Sequence, residues 1–403
     1  MPELLAPAGN FSKLQTAFQY GADAVYFGNE DFSLRSSGFN DEDSLASGIL
    51  HAHTLGKKAY ITANIFAHNR DLNALTEYIK LAKEFSADAI IVSDLGVFEL
   101  CQRHAPNIDI HISTQANCTN SFSAQKWHEM GAKRIIPARE LSFDEIREIR
   151  QNTAPELELE LFVHGAMCVA YSGRCLLSSY LAERDANKGE CAQPCRWEFE
   201  LLEAKSGNHI QAFENRRGSF FFNSKDLCLI RRIADLAEIG VNSLKIEGRN
   251  KSEYYLATIV KAYRTEIDNF LSGQPLDPNS LDEVEKVSHR EYCEGFAFGA
   301  QAGQVYSTSS YIRNCDVVAV ILDCQERENG DFRLLAEQRN KINRGDALEI
   351  LQPVGKNIAI DHAEIFDEED AELASTPHAA MKYWLKCPIP AQVGSFVRNV
   401  HKI

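Results

Sequence analysis

Over the first 250 residues, short continuous apolar runs alternate with longer stretches that carry one apolar face. The runs are ELLAPA at 3–8, GADAVYFG at 21–28, KKAYITANI at 57–65, SADAIIVSD at 86–94, IDIHISTQ at 108–115, GAKRIIPARE at 131–140, ELELFVHG at 158–165 and GVNSLKIEG at 240–248. Between them lie helix-length segments: Ser12–Tyr20, Asp41–Leu55, Leu72–Phe85, Ser121–Met130, Phe143–Gln151 and Leu227–Ile239. Ser252–Leu271 follows the last run with the same helical pattern. Apolar strands in alternation with helices predict parallel β/α units. Gly21, Gly131 and Gly240 stand where a helix end needs a left-handed residue. Eight units in about 270 residues predict a (β/α)8 TIM-like barrel over residues 1–305. No G-x-G-x-x-G follows the first strand, which argues against a doubly wound dinucleotide fold.

Past Leu271 the rhythm changes. SGQPLDPNS at 272–280 is a turn-rich link, followed by a short helical piece and the aromatic–glycine stretch EYCEGFAFGA at 291–300. From Asp316 onward VVAVILDC, FRLLAEQ, ALEILQP, MKYWLKC and SFVRNVHKI are short β patterns separated by turns such as ENGD and INRGD. Strands at this spacing predict a small all-β barrel over residues 310–403, with a boundary near 305–315.

At 403 residues with 44% apolar and 25% charged positions, the chain has the composition of a soluble globular protein. No run of 18 apolar residues occurs, so no membrane-spanning helix is expected. The opening MPELLAPAGNFSKL lacks the basic and apolar regions of a secretory signal. A reducing cytoplasm is the expected setting, where eleven cysteines stay thiols or bind metal. A net charge of −15 argues against generic nucleic-acid binding. The charge is uneven: residues 164–264 carry 15 Lys+Arg against 12 Asp+Glu, which leaves −18 for the remainder.

Four cysteines, Cys168, Cys175, Cys191 and Cys195, fall in one insertion spanning roughly 166–225, with spacing C-x6-C-x15-C-x3-C. A βα loop of this length is usually functional. Four thiolates are a complete ligand set for a soft metal or an iron–sulfur cluster. A structural zinc site favours two close pairs, and only Cys191 and Cys195 make one. Spacing alone leaves cluster, zinc and unligated thiols open. Cys228, in NSKDLCLI, is a competing ligand whose helical, apolar setting favours a buried thiol.

In a barrel of this kind function sits at the C-terminal strand ends. Those ends carry Asn64, Gln115, Arg139 with Glu140, His164, and Lys245 with Glu247 and Arg249. His164 is a candidate base or hydrogen-bond donor, with a satisfied structural histidine as the alternative. In KIEGR a period of two puts Lys245, Glu247 and Arg249 on one side, provided the strand persists. Such charges form either an anion clamp, together with Arg139, or an ion-pair network across the barrel top.

The segment ELFVHGAMCVAYSGRCLLSSYLAERDANKGECAQPCRWEF, with NSKDLCLI, VNSLKIEGR and ELLAPAGN…GADAVYFG, resembles the collagenase-like peptidase family, peptidase family U-thirty-two. The likeness runs over nearly the whole chain, and its cysteine motif is long and specific. The family name implies a peptidase. Its hydroxylating members imply a 4Fe–4S cluster held by Cys168, Cys175, Cys191 and Cys195, loaded by the iron–sulfur assembly machinery. They further imply prephenate as co-substrate and tRNA as partner, with the wobble uridine converted to 5-hydroxyuridine. Hydroxylation of rRNA or quinone precursors is the neighbouring possibility. Members resembling the tRNA enzyme need no cysteine at the place of Cys228, which implies a non-ligand there. Their places at the strand ends make His164, Arg139, Glu140, Lys245 and Glu247 the candidate catalytic groups. Gln115, Tyr171 and Arg249 become candidates for binding substrate. The clamp would hold prephenate carboxylates or tRNA phosphates, and Tyr171 or Trp197 would stack on an extruded base. A peptidase, or a non-catalytic RNA-binding module, remains the contrasting expectation.

Overall fold

The computed structural model describes residues 1–33, 38–168, 170–197, 214–215, 218–219, 224–299, 311–328 and 330–400. Parts of the insertion, and residues 300–310 at the expected boundary, lie outside the described residues.

Seven parallel strands follow in order: β1 (Glu3–Pro7), β2 (Ala24–Phe27), β3 (Lys58–Ala63), β4 (Ala89–Val92), β5 (Asp109–Ile112), β6 (Arg134–Ile135) and β7 (Glu158–Ala166). After the insertion, with its short hairpin β8 (Glu214–Asn215) and β9 (Gly218–Ser219), come β10 (Asp226–Cys228) and β11 (Ser243–Ile246). β11 pairs in parallel with both β1 and β7, which closes an eight-stranded barrel. Helices α1 (Phe11–Gln19), α2 (Glu42–Thr54), α3 (Leu72–Glu84), α4 (Leu95–His104), α5 (Ser121–Glu129) and α6 (Phe143–Gln151) lie between the strands. α7 (Leu177–Ala182) belongs to the insertion, and α8 (Ile233–Ile239) and α9 (Glu253–Leu271) complete the ring. The expected strands and barrel are all present.

Two local expectations change. α4 was not legible because its ten residues bury only Val97, Phe98 and Cys101, too few for a clear apolar stripe. It forms on a cap, the Asp94 side chain accepting the Val97 N–H at 3.0 Å. The helix expected over Leu227–Ile239 is shorter, because Asp226–Cys228 is a strand antiparallel to β7. β7 is nine residues long and runs past its barrel partners, leaving backbone groups at 164–166 that β10 satisfies. Cys228 therefore stands on a strand opposite His164, not on a helix.

The barrel interior is charged. Arg134 donates to Glu3 at 2.7 Å, Glu158 at 2.7 Å and Glu160 at 2.9 Å. Lys245 meets Glu160 at 2.7 Å. Leu5, Tyr26, Tyr60, Ile91 and Ile136 form a smaller apolar cluster of the strands, while the larger apolar core lies between strands and helices.

After α10 (Pro278–Val284) and β12 (Tyr292–Cys293), the C-terminal unit comprises β13 (Cys315–Glu326), β14 (Phe332–Gln338), β15 (Leu348–Leu351), β16 (Ile358–Ile360), β17 (Ile365–Phe366), β18 (Lys382–Cys387) and β19 (Phe396–Val400). These form an antiparallel half-barrel in the order β16-β15-β19-β13-β14-β18-β17 around a core of its own. It seats on the TIM-like barrel through Leu351 and Phe396 and through the fully buried Arg398, which donates to Glu283 at 2.5 Å. Among the described residues no helix is long and apolar enough to cross a membrane.

Candidate functional site

The C-terminal ends of the strands open into a cavity of about 360 Å³. Cys168, Cys175, Cys191 and Cys195 all line it, each half-buried. Burial pushes the Cys175 thiol up from its ordinary value, opposed by a backbone hydrogen bond at Leu177 and reinforced by the neighbouring thiols Cys191 and Cys168. Cys195 is pushed up chiefly by burial, opposed by Arg196 and reinforced by the other three thiols. The four sulfurs are thus within electrostatic reach of one another. Among the described residues no three His, Cys, Asp or Glu groups close on a single-ion geometry. The donor set is four soft thiols lining one cavity, the ligand type that iron–sulfur clusters take.

Packing holds the cysteine loop on the barrel mouth. Both Glu140 oxygens are taken by Ser172, from its N–H and from its hydroxyl, each at 2.6 Å. This fixes Ser172 at φ 46°, a left-handed conformation costly for a non-glycine residue. Arg174 Nε donates to the Gln115 carbonyl at 2.8 Å. Glu140, expected as a catalytic group, is therefore a clasp for the loop and does not line the cavity.

Arg139 lines the cavity, with its guanidinium 5.4 Å from the Phe162 ring centroid. Burial works against its charge, but Cys168, ahead of Glu140 and Glu247, holds the proton on and raises its pKa. Lys245 lies on the cavity floor, paired with Glu160 and 4.4 Å from the Tyr26 ring centroid. Arg249 is buried, donating to the Gly28 carbonyl at 3.1 Å and to Thr62 Oγ1 at 3.4 Å. β11 ends at Ile246, yet Lys245, Glu247 and Arg249 all face the cavity as expected. In sum Arg139, Arg196, Lys245, Arg249 and Lys251 line it against one described carboxylate, Glu247. Lys245 closes an internal ion-pair network, as the second reading of these charges expected.

His164 follows the structural alternative and not the catalytic one. Strand alternation groups it with Glu160 and Phe162, but the β7–β11 register shifts between Lys245 and Ile246, a bulge that changes the phase. His164 turns away from the cavity and packs against Tyr255, Tyr263 and Tyr292. It is 1% exposed, and burial pushes its pKa down to about 3, with Asp226 opposing and His289 and Lys251 adding to the drop. A histidine neutral in the fold but free to charge when unfolded weakens stability as pH falls from its ordinary value towards 3. The melting temperature of the wild type is expected to fall over that window, and His164→Gln to show a flatter slope. Equal slopes would contradict this placement.

Tyr171 and Trp197, 48% and 42% exposed, stand on the insertion outside the cavity lining. Cys228 also lies outside it, its thiol pushed up to about 11 by burial. Arg196, Lys251 and Tyr311 are among the lining residues that sequence reasoning missed. Arg196 donates to the Tyr311 hydroxyl at 2.7 Å, and Lys251 Nζ sits 4.6 Å from the Tyr311 ring centroid. Tyr311 reaches the mouth from beyond the barrel's last helix, and no local pattern announces that.

The sequence model of Peptidase family U32 matches residues 9–306, and that of the Peptidase family U32 C-terminal domain matches residues 313–398. The tRNA hydroxylation protein P of Escherichia coli (strain K12) is 38% identical, covering 96% of this chain and 94% of that protein. The tRNA hydroxylation protein P1 of Bacillus subtilis (strain 168) is 38% identical over 94% of this chain and 90% of its own length. The 23S rRNA 5-hydroxycytidine C2501 synthase of E. coli is 35% identical over 66% of this chain and 39% of its own. Two family matches that span the barrel and the half-barrel, and relatives aligned nearly end to end, make the assignment: this chain belongs to peptidase family U32.

Proposed function

We propose that this chain is a cytoplasmic tRNA-modifying enzyme that hydroxylates the wobble uridine to 5-hydroxyuridine. It uses prephenate and a 4Fe–4S cluster held by Cys168, Cys175, Cys191 and Cys195. The observation that carries the reading is the convergence of these four thiols on one cavity rimmed by cations. Relatives aligned over nearly the whole chain are named for tRNA hydroxylation, which supports an RNA-hydroxylating enzyme. When bound, the cluster supplies one-electron chemistry at the barrel mouth.

The chain's own residues would bind, orient and shield. Arg249, held by the Gly28 carbonyl, presents a positioned guanidinium of the kind that pairs with carboxylates. With Lys251 it suits the two carboxylates of prephenate. Arg139 balances the charge of the Cys168 thiolate. Arg196 lies at the mouth beside Tyr311, in reach of RNA phosphates, and the exposed Tyr171 and Trp197 offer faces on which bases stack.

Mass spectrometry of tRNA nucleosides tests the reading. A strain lacking the gene is expected to lose 5-hydroxyuridine, and the wild-type gene to restore it. Unchanged 5-hydroxyuridine would overturn the proposal, as would peptide hydrolysis that survives replacement of all four cysteines. Loss of a hydroxylated base from 23S rRNA instead would move the substrate to rRNA.

A further inference from the structure

We propose that Asn64 and Gln115 form an amide pair that reads the hydrogen-bonding edge of the nucleobase entering the cavity, engaging a ring N–H and the carbonyl beside it. The inference rests on the RNA-hydroxylase reading and adds the residues that identify the base.

Asn64 directly follows β3 and Gln115 follows β5, and both side chains line the cavity. Asn64 Nδ2 donates to Gln115 Oε1 at 3.2 Å, and Ser113 Oγ donates to the same oxygen at 3.4 Å. The other end of each amide is orphaned: Gln115 Nε2 and Asn64 Oδ1 are buried without a hydrogen-bond partner. Gln115 is only 2% exposed, so its unpaired donor is a standing cost that a guest can relieve. The terminal amide torsions are broad and soft, so turning these groups toward a guest takes little energy.

The pair offers one donor and one acceptor. Reversing both amides would exchange the roles and still leave one of each, so the conclusion does not depend on the assignment of oxygen and nitrogen. Uracil presents a carbonyl, an N–H and a second carbonyl along one edge, which matches a neighbouring donor and acceptor. Enzymes that act on a base take it out of the stack and read this edge in a pocket. The backbone of Gln115 is tied to the cysteine loop through Arg174, the residue before Cys175. The same short segment thus holds the reading edge and positions the thiol wall.

The test is equilibrium binding, by fluorescence anisotropy, of a labelled anticodon stem-loop RNA to anaerobically purified holoenzyme. The wobble position carries either uridine or 3-methyluridine, which lacks the N–H. The wild type is expected to favour uridine by about tenfold to a hundredfold, the discrimination of a buried polar contact. The double variant Asn64→Ala, Gln115→Ala is expected to bind the two RNAs within about twofold, with iron content unchanged. Should that variant fail to fold, Gln115→Glu keeps the shape but replaces the donor, and should lose about tenfold in uridine binding. A wild type that binds both RNAs equally, or variants that keep the full preference, would overturn the proposal alone. A wild type that binds neither RNA and leaves tRNA unmodified would overturn the parent reading, and this inference with it.

Discussion

Serine in place of Cys168, Cys175, Cys191 or Cys195 is expected to strip the visible iron–sulfur absorption from anaerobically purified protein and to abolish 5-hydroxyuridine in tRNA. Each thiol lines the same cavity, so each substitution removes one of four soft donors. Outer-shell changes at metal sites cost about ten- to a hundredfold, and loss of a ligand itself should exceed that. The control is Cys228→Ser. Cys228 lies outside the cavity on β10, its thiol pushed up to about 11 by burial, so this variant should keep its colour and its iron. A colourless protein with stoichiometric zinc would remove the cluster from the proposal. A Cys228 variant that loses its iron while the four others keep theirs would reassign the ligands.

Glu160→Ala is expected to destabilise the fold by about 3–5 kcal/mol, the range for stranding buried charges. Glu160 is fully buried and bridges Lys245 and Arg134, whose side chains are 5% and 4% exposed. Removing it leaves both cations with fewer acceptors inside the barrel. Burial alone would raise the Glu160 carboxyl, but Lys245 and then Arg134 outweigh it and hold the pKa below the ordinary value of 4.5. A depressed carboxylate contributes its stability above the unfolded value and loses it as pH falls through the folded one. Urea unfolding should therefore show the wild type weakening below about pH 4.5, and the variant, already weak at pH 7, changing less there. A loss under about 1 kcal/mol at pH 7, the worth of an exposed pair, would show that the network is solvated in solution.

Much of the site was legible residue by residue. The cysteine loop, Gln115, Arg139, Lys245, Glu247 and Arg249 were expected at the barrel mouth, and all line its cavity. For His164 the sequence left a catalytic and a structural role open, and the β7 bulge, which composition does not announce, turns it into the core. Glu140 was misjudged. A charged strand end can serve a substrate or brace a loop, and only the position of Ser172 decides between them.

Periodicity and spacing were enough for the eight-strand alternation, a small all-β unit after it and four thiols in one insertion. Those features are local, since periodicity and spacing are written over short stretches of chain. Convergence belongs to the tertiary structure. Asn64, Gln115, Lys251 and Tyr311 are separated by dozens of residues or more, and they surround one cavity only because β11 closes the barrel onto β1 and β7. Closure also decided which charges are spent inside the barrel on each other and which remain for an incoming anion.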